Sequence, residues 1–417
     1  MGPSAGRALL GDMSWSGLLP VIRFGYGLAL AVLLSKHLSV EQYGQWSLFI
    51  STMFLVLTVS SLNLTYAATV ILTGKDIEDQ RRDIFSVAVT KYAATLVVYL
   101  GFALYLAASD TFALEVVVML GVVVIAKATN DLFFGLLRAL LQVARQVRFV
   151  AFESVAIIAL VGMTTWGIGW SWYGAVWAYL VAELLTIVLG VVYLREYLTW
   201  TRLDRTIIRQ YLRIGLPLIP FAFSDLIINA LVPFLIRIYE SFEAVALYSI
   251  AQKVALAAAL PNAVINNVYM QYLKKAKEAG GIVAVKHTLR RFLLIYLVLI
   301  VPVLTGLVLF GQEMIRLIST EAYMGSYILA LKLAGVNVIV MLSALLMAVF
   351  AVYDRTRTVG WIWMVVLVFY VISNQWLVPE FGLDGIAYAL LLSFAGGLAA
   401  IGIAAARLIR SLSRAGA

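Results

Sequence analysis

The chain has 417 residues, 63% of them hydrophobic and only 13% charged, with a mean hydropathy of +0.97 and a net charge of +9. Soluble domains are about half apolar, so this composition excludes a soluble globular protein. There is no cysteine, which removes disulfides, thiolate metal sites and cysteine nucleophiles from consideration.

Twelve apolar runs of 19 or more residues follow one another, near 14–36, 44–73, 84–107, 113–140, 149–169, 173–194, 214–237, 243–272, 292–310, 324–353, 358–378 and 383–406. About 20 helical residues cross a hydrocarbon core, so each run predicts a transmembrane helix. The first run is too long for a signal h-region and no small-residue cleavage site follows it, so it is expected to stay as a helix. The runs at 44–73, 243–272 and 324–353 exceed the needed length, which predicts tilt or extension beyond the bilayer.

Basic residues set the orientation. The N-terminus, alternate loops and C-terminal tail hold 23 of the 31 Lys and Arg residues, whereas the other loops hold only Lys36, Arg237 and Arg316. Both termini are therefore expected on the cytoplasmic side. The positive charge reads as topology and as affinity for anionic lipid head groups, and no nucleic-acid surface is expected. The short outward loops leave no room for a catalytic domain.

The basic, partly amphipathic stretch 195–213 falls at the midpoint of the twelve runs. It divides the chain into an N-terminal lobe at 1–194 and a C-terminal lobe with its cytoplasmic tail at 214–417. A repeat supports the division. SVEQYGQWS at Ser39–Ser47 and SFEAVALYS at Ser241–Ser249 align at an offset of 202, sharing Ser39/Ser241, Glu41/Glu243 and Ser47/Ser249, with Trp46 opposite Tyr248. Parallel repeats with a site between them are a transporter architecture.

No G-x-x-x-x-G-K loop is present, and His37 and His287 stand far apart near span ends. Nucleotide hydrolysis, a metal cluster and a Ser–His–Asp arrangement are thus not expected. What remains is intramembrane charge: Arg23, Lys91, Lys127, Lys253 and Lys332 against Asp131, Glu153, Glu183 and Asp225. A charge at the bilayer centre costs about 2.5–3.5 kcal/mol or more, so these groups should face one another or a wet interior. Lys127 and Asp131, one turn apart, are expected to neutralise each other. Lys91 and Glu153 are expected to snorkel to the cytoplasmic interface. Glu183 and Lys332 lie deeper, with structural and functional roles both open.

Span seven carries Pro217, Pro220, Ser224, Asp225, Asn229 and Pro233, with Asp225 and Asn229 predicted on one helix face. Span eight carries Gln252, Lys253, Pro261, Asn262, Asn266, Asn267 and Gln271. So many amides and interrupted backbone bonds need polar partners, so both spans should line a wet cavity. In it Gln252, Asn262 and Asn266 would form one polar stripe with Lys253.

LLSKHLSVEQYGQWS at Leu33–Ser47, GLPLIPFAFSDLIINA at Gly215–Ala230 and EAVALYSIAQKVA at Glu243–Ala255 resemble corresponding segments of Wzx-type O-antigen and polysaccharide flippases. Tyr43 and Gly44 fit the pattern after helix one, while Ser39, Val40 and Ala246 depart from it. The resemblance implies an all-α membrane protein of the multidrug/oligosaccharidyl-lipid/polysaccharide (MOP) exporter fold, with two six-helix lobes around a central cavity. It implies a monomeric, cofactor-free flippase of the bacterial inner membrane, serving lipopolysaccharide O-antigen or other polysaccharide biosynthesis. The substrate would be an undecaprenyl-diphosphate-linked oligosaccharide moved from the cytoplasmic to the periplasmic leaflet by alternating access. A polysaccharide polymerase and chain-length machinery would be its partners.

By the same resemblance Arg23 and Lys253 would hold the diphosphate by charge-assisted hydrogen bonds; Lys332 is a further candidate for that role, and Asn229, Gln252, Asn262 and Asn266 are expected to line the cavity. A proton or sodium ion would drive transport through Glu183 or Asp225. Asp225 is also a candidate to pair with Arg23 across the lobes, since the repeat offset sets them opposite. A cation-coupled drug antiporter of the same fold is the alternative. A membrane polymerase or ligase and a non-transporting scaffold fit less well.

Overall fold

In lipid no water satisfies backbone N–H and C=O groups, so a chain this apolar closes its hydrogen bonds within helices. A computed structural model describes the backbone of residues 3–72, 75–109, 111–216, 219, 223–353 and 355–415. Side chains are described from Leu18 onward, without those of 223–224, 262–264, 266–268 and 415. Among the described residues every regular element is helical. Eleven segments are long and apolar enough to cross a membrane, and the shorter Ile227–Tyr239 falls on the expected seventh span.

The chain divides into two compact units, residues 1–42 with 49–219 and residues 43–48 with 220–417. The first unit contains α1 (Pro3–His37), most of α2 (Val40–Ser60), α3 (Leu64–Ile71), α4 (Ile77–Ala108), α5 (Leu114–Ala139), α6 (Val143–Gly162), α7 (Trp172–Leu194) and α8 (Arg205–Gly215). A single π turn, Met163–Gly167, follows α6.

Two features of this unit add to the sequence reading. The run 44–73 is not one tilted span. Leu62 and Asn63 take left-handed backbone angles, with φ of 46° and 49°, and split it into α2 and α3. In addition, the partly amphipathic linker after α7 carries a packed helix, α8. α8 lays Tyr211 into an apolar cluster with Leu64, Ile71, Leu136, Phe149 and Leu194. Each such side chain taken from water contributes about 1.5–3 kcal/mol. The Tyr211 hydroxyl donates to Asp83 at 2.9 Å, and burial, then the Asp83 charge, push its pKa up. Asp83 also holds Lys75 at 2.6 Å, and Arg82 holds Asp204 at 2.5 Å.

The second unit contains α9 (Phe223–Leu226), a π turn (Ile227–Leu231), α10 (Val232–Tyr239), α11 (Phe242–Ala255), a 3-10 turn (Leu256–Ala259), α12 (Leu260–Ile318), α13 (Ser326–Val352), α14 (Thr356–Phe381) and α15 (Leu383–Ala415). Gly280 and Gly281 leave helical geometry and divide α12 in two, where the sequence predicts the inward loop between spans eight and nine. The run 243–272 is long because the 3-10 turn breaks it. The run 324–353 is one helix, α13, preceded by a 3-10 turn at Glu321–Tyr323.

The sequence repeat has a structural counterpart. Ser39 caps α2 by accepting from the Gln42 amide at 3.2 Å, and Ser241 caps α11 by accepting from the Ala244 amide at 3.3 Å. Such caps stabilise a helix start by about 1 kcal/mol. Trp46 and Tyr248, also matched by the repeat, are both buried. Gly44, which belongs with the second unit, lies so close to Phe242 that a Cβ would sit 1.9 Å from its carbonyl oxygen.

Candidate functional site

In the first unit the intramembrane charges converge. Lys127 of α5 forms an ion pair with Glu153 of α6, stands 3.4 Å from Glu183 of α7, and reaches Asp131 only at 4.0 Å. Glu183 is wholly buried. Its Oε2 accepts from the Asn130 side-chain amide at 2.6 Å, and the same amide reaches the Glu183 carbonyl at 2.9 Å. Tyr179, one turn before Glu183, hydrogen-bonds to the carboxylate. Tyr26 of α1 lies within the field of Lys127, Glu153 and Glu183. Lys91 of α4 is only 4% exposed and feels the charge of Asp131.

This arrangement extends one expectation and corrects another. The expected Lys127–Asp131 pair is present at 4.0 Å, and neighbouring helices bring the carboxylates of Glu153 and Glu183 nearer still. Lys91 and Glu153 do not snorkel to the interface: the first is buried and the second is consumed in the Lys127 pair. Buried charges of this kind persist only where partners and hydrogen bonds offset the loss of water. The cluster holds three carboxylates, Asp131, Glu153 and Glu183, against two lysines, Lys91 and Lys127. Arg23 stands apart from these pairs, its guanidinium 4.5 Å over the Phe134 ring.

In the second unit polar groups gather where helices break. The Tyr248 hydroxyl donates to the Ile228 carbonyl in the π turn at 2.8 Å. The Asn337 amide of α13 donates to the Ala255 carbonyl beside the 3-10 turn at 2.9 Å. Irregular backbone at membrane depth is tolerated when such partners satisfy it. Between the two breaks, Gln252 donates its amide to the Asn229 side-chain oxygen at 2.7 Å.

Lys253 lies next to Gln252, half-buried in the last turn of α11, and forms no ion pair with any described residue. Asp225 and Asn229 are both exposed. The stripe predicted from Lys253 through Asn262 to Asn266 does not run along one helix, because the 3-10 turn changes the register between them. The side chains of Asn262 and Asn266 lie outside the described residues, as do Pro217 and Pro220.

Lys332 is not a free cation. Asp384 holds it at 2.6 Å, and Tyr388 offers both its hydroxyl at 3.3 Å and its ring face at 4.3 Å. Asp384 and Tyr388, like Asn130, Tyr179 and Tyr26, were not singled out by sequence. A hydropathy run does not show which turns of separate helices will meet. Among the described residues no group of His, Asp and Glu side chains is placed to hold a metal ion.

A family model described as "Polysaccharide biosynthesis protein" matches residues 33–328, well over half of the chain. No curated protein sequence matches it. Among solved structures, a multidrug resistance MATE family transporter of the MOP superfamily, inward-facing, is similar with a TM-score of 0.75 at 15% identity, over 94% of this chain and 96% of that one. The lipid II flippase MurJ, in an inward closed conformation, is similar with a TM-score of 0.69 at 13% identity, over 94% of this chain and 87% of that one. An outward-facing MATE transporter of the same superfamily gives 0.61 at 15% identity, over 96% and 94%. With fifteen α-helices among the described residues, divided between two units, and these neighbours in fold, the chain has the MOP exporter fold and belongs to the polysaccharide biosynthesis protein family.

Proposed function

We propose that this multi-pass membrane protein is a flippase of the bacterial inner membrane that carries undecaprenyl-diphosphate-linked oligosaccharide from the cytoplasmic to the periplasmic leaflet. The observation that carries the reading is Lys253, a lysine within a membrane span, half-buried and without a carboxylate among the described residues. An uncompensated cation at that depth is unfavourable unless an anion visits it, and a diphosphate is such an anion. Arg23 likewise forms no ion pair with a described carboxylate. Lys332 is already neutralised by Asp384, so the diphosphate role falls to Arg23 and Lys253. Gln252 and Asn229 supply neutral hydrogen-bonding groups beside Lys253 for the sugar hydroxyls.

Coupling to a proton or sodium ion is assigned to the first unit's cluster. Its three carboxylates exceed its two lysines, so the buried Glu183 is the group that would take up a cation. Asp225 remains the alternative carrier in the second unit.

Complementation of surface polysaccharide in a flippase-deficient strain tests the reading, with protein level checked by blot. Lys253→Arg should retain most activity, Lys253→Ala should lose most of it, and Lys253→Glu should lose all of it by repulsion. A well-expressed Lys253→Ala chain that restores full polysaccharide removes this lysine from substrate binding.

A further inference from the structure

The segment between α7 and α9 carries a feature that packing leaves unexplained. α8 spends its apolar face on the protein: Tyr211 is fully buried, and Ile207, Leu212 and Ile214 pack around it. Its other face presents Arg205, Arg209 and Arg213, all exposed. Spaced by four residues, the three stack as one ridge about 12 Å long at 1.5 Å per residue.

Like charges at this spacing destabilise a helix, by about 0.2–0.5 kcal/mol per pair. No described carboxylate relieves them. The linker's two acids are engaged elsewhere or off the ridge. Asp204 pairs with Arg82 and caps the helix through the Thr206 amide at 2.8 Å. Glu196 precedes the helix by nine residues and presents its backbone carbonyl to Arg81 at 2.7 Å. The acids at the start of α4, Asp76, Glu78 and Asp79, are exposed and pair with none of the three arginines.

Beside the ridge stands Trp200, 93% exposed, its ring tilted against that of Phe85 with 5.7 Å between centroids. Leu203 is about half exposed and Arg202 is exposed between them. An indole and a leucine left bare next to a row of arginines have the composition of a membrane-interface surface, where tryptophan settles at head-group level and arginine meets phosphate. The segment follows the sixth expected span, on the side where basic residues accumulate.

We propose that residues 200–213 form a docking surface for anionic phospholipid head groups of the cytoplasmic leaflet. Arg205, Arg209 and Arg213 engage the phosphates, and Trp200 and Leu203 enter the interface. The surface is fixed to the first unit through Tyr211–Asp83 and Asp204–Arg82, so lipid bound there bears on the transporter itself.

The absence of cysteine permits a direct test. Gln210, exposed on α8, is changed to Cys, labelled with an environment-sensitive fluorophore, and the full chain is placed in nanodiscs. Head-group spin-labelled phosphatidylglycerol or phosphatidylcholine is then added at equal mole fraction. An arginine near an anionic surface is worth about 1 kcal/mol, or about a fivefold local enrichment. Quenching by the glycerol lipid should therefore exceed that by the choline lipid severalfold at low salt and converge with it at high salt.

Arg205→Gln/Arg209→Gln/Arg213→Gln should abolish the preference, and the matching triple lysine variant should keep it. Tyr211 is untouched in both, and gel filtration with thermal unfolding confirms the fold. Equal quenching by the two lipids in the parent chain overturns the proposal and turns the ridge toward a soluble acidic protein partner. A preference that survives the triple glutamine variant overturns the assignment to these arginines.

Discussion

Lys127 of α5 and Glu183 of α7 stand 3.4 Å apart, and Glu183 has no exposed surface. Neither helix alone predicts this contact. The two residues make sense only as a pair, since a buried carboxylate stripped of its cation retains the full cost of lost hydration. Lys127→Met should lower stability by about 3–5 kcal/mol, read as a large fall in thermal midpoint by fluorescence-detected gel filtration. The double variant Lys127→Met/Glu183→Gln should recover a substantial part of the loss. If it is as unstable as the single variant, the two residues are not energetically coupled.

Gly44 offers a second, purely steric test. A Cβ there would meet the Phe242 carbonyl oxygen at 1.9 Å, and backbone cannot swing aside as a side chain can. Gly44→Ala should destabilise by about 1–3 kcal/mol, the range for overpacking a close contact. Gly101→Ala is the control, since nothing lies within 4 Å of a Cβ there; placed inside α4, it should be neutral or slightly stabilising. Equal midpoints for the two variants would mean that α2 and α11 do not approach at this point.

Much of the architecture was legible before any coordinates. Runs of twenty apolar residues leave a chain few options in lipid, and eleven of the twelve expected spans are helices of sufficient length. The serine caps at positions 39 and 241 were visible as a repeat because capping requires a particular residue type at a particular place. The break at Leu256–Ala259 lies in apolar sequence, and hydropathy is blind to backbone angle; at Leu62–Asn63 the asparagine is a residue type that tolerates the left-handed conformation, a cue that the apolar run masked. For the break at Leu256–Ala259, Pro261 was a local signal, standing in the first turn of α12, where proline is favoured because its missing N–H is not needed.

The site was half legible. Intramembrane charge marked Lys127, Glu153, Glu183, Lys253 and Lys332 as residues with a reason to exist. Their partners were set by which helices pack together. The i,i+4 rule pointed to Asp131 for Lys127, and tertiary packing added the closer Glu153 and Glu183. For Lys332, Asp384 comes from a helix 52 positions later in the sequence.

Topology can be checked on the same cysteine-free background. Ala279→Cys lies at the kink in α12 and Gln312→Cys near the far end of that element, both exposed. Gln312 is a better position than Gly311, where a Cβ would meet the Tyr327 ring at 2.7 Å. An impermeant maleimide added to intact cells should label position 312 and spare position 279 until the cells are opened. Labelling of both from outside would contradict the twelve-span arrangement with cytoplasmic termini.

Transport of a lipid-linked sugar can be measured in a reconstituted system. The purified chain is placed in liposomes with undecaprenyl-diphosphate-linked oligosaccharide labelled in its sugar, under an imposed proton or sodium gradient. An impermeant sugar-modifying enzyme then reports which label is outside. The pool protected in empty liposomes should become accessible with the wild-type chain and stay protected with Lys253→Glu. A folded, monodisperse wild-type chain that leaves the inner pool protected under every gradient would contradict the proposed transport.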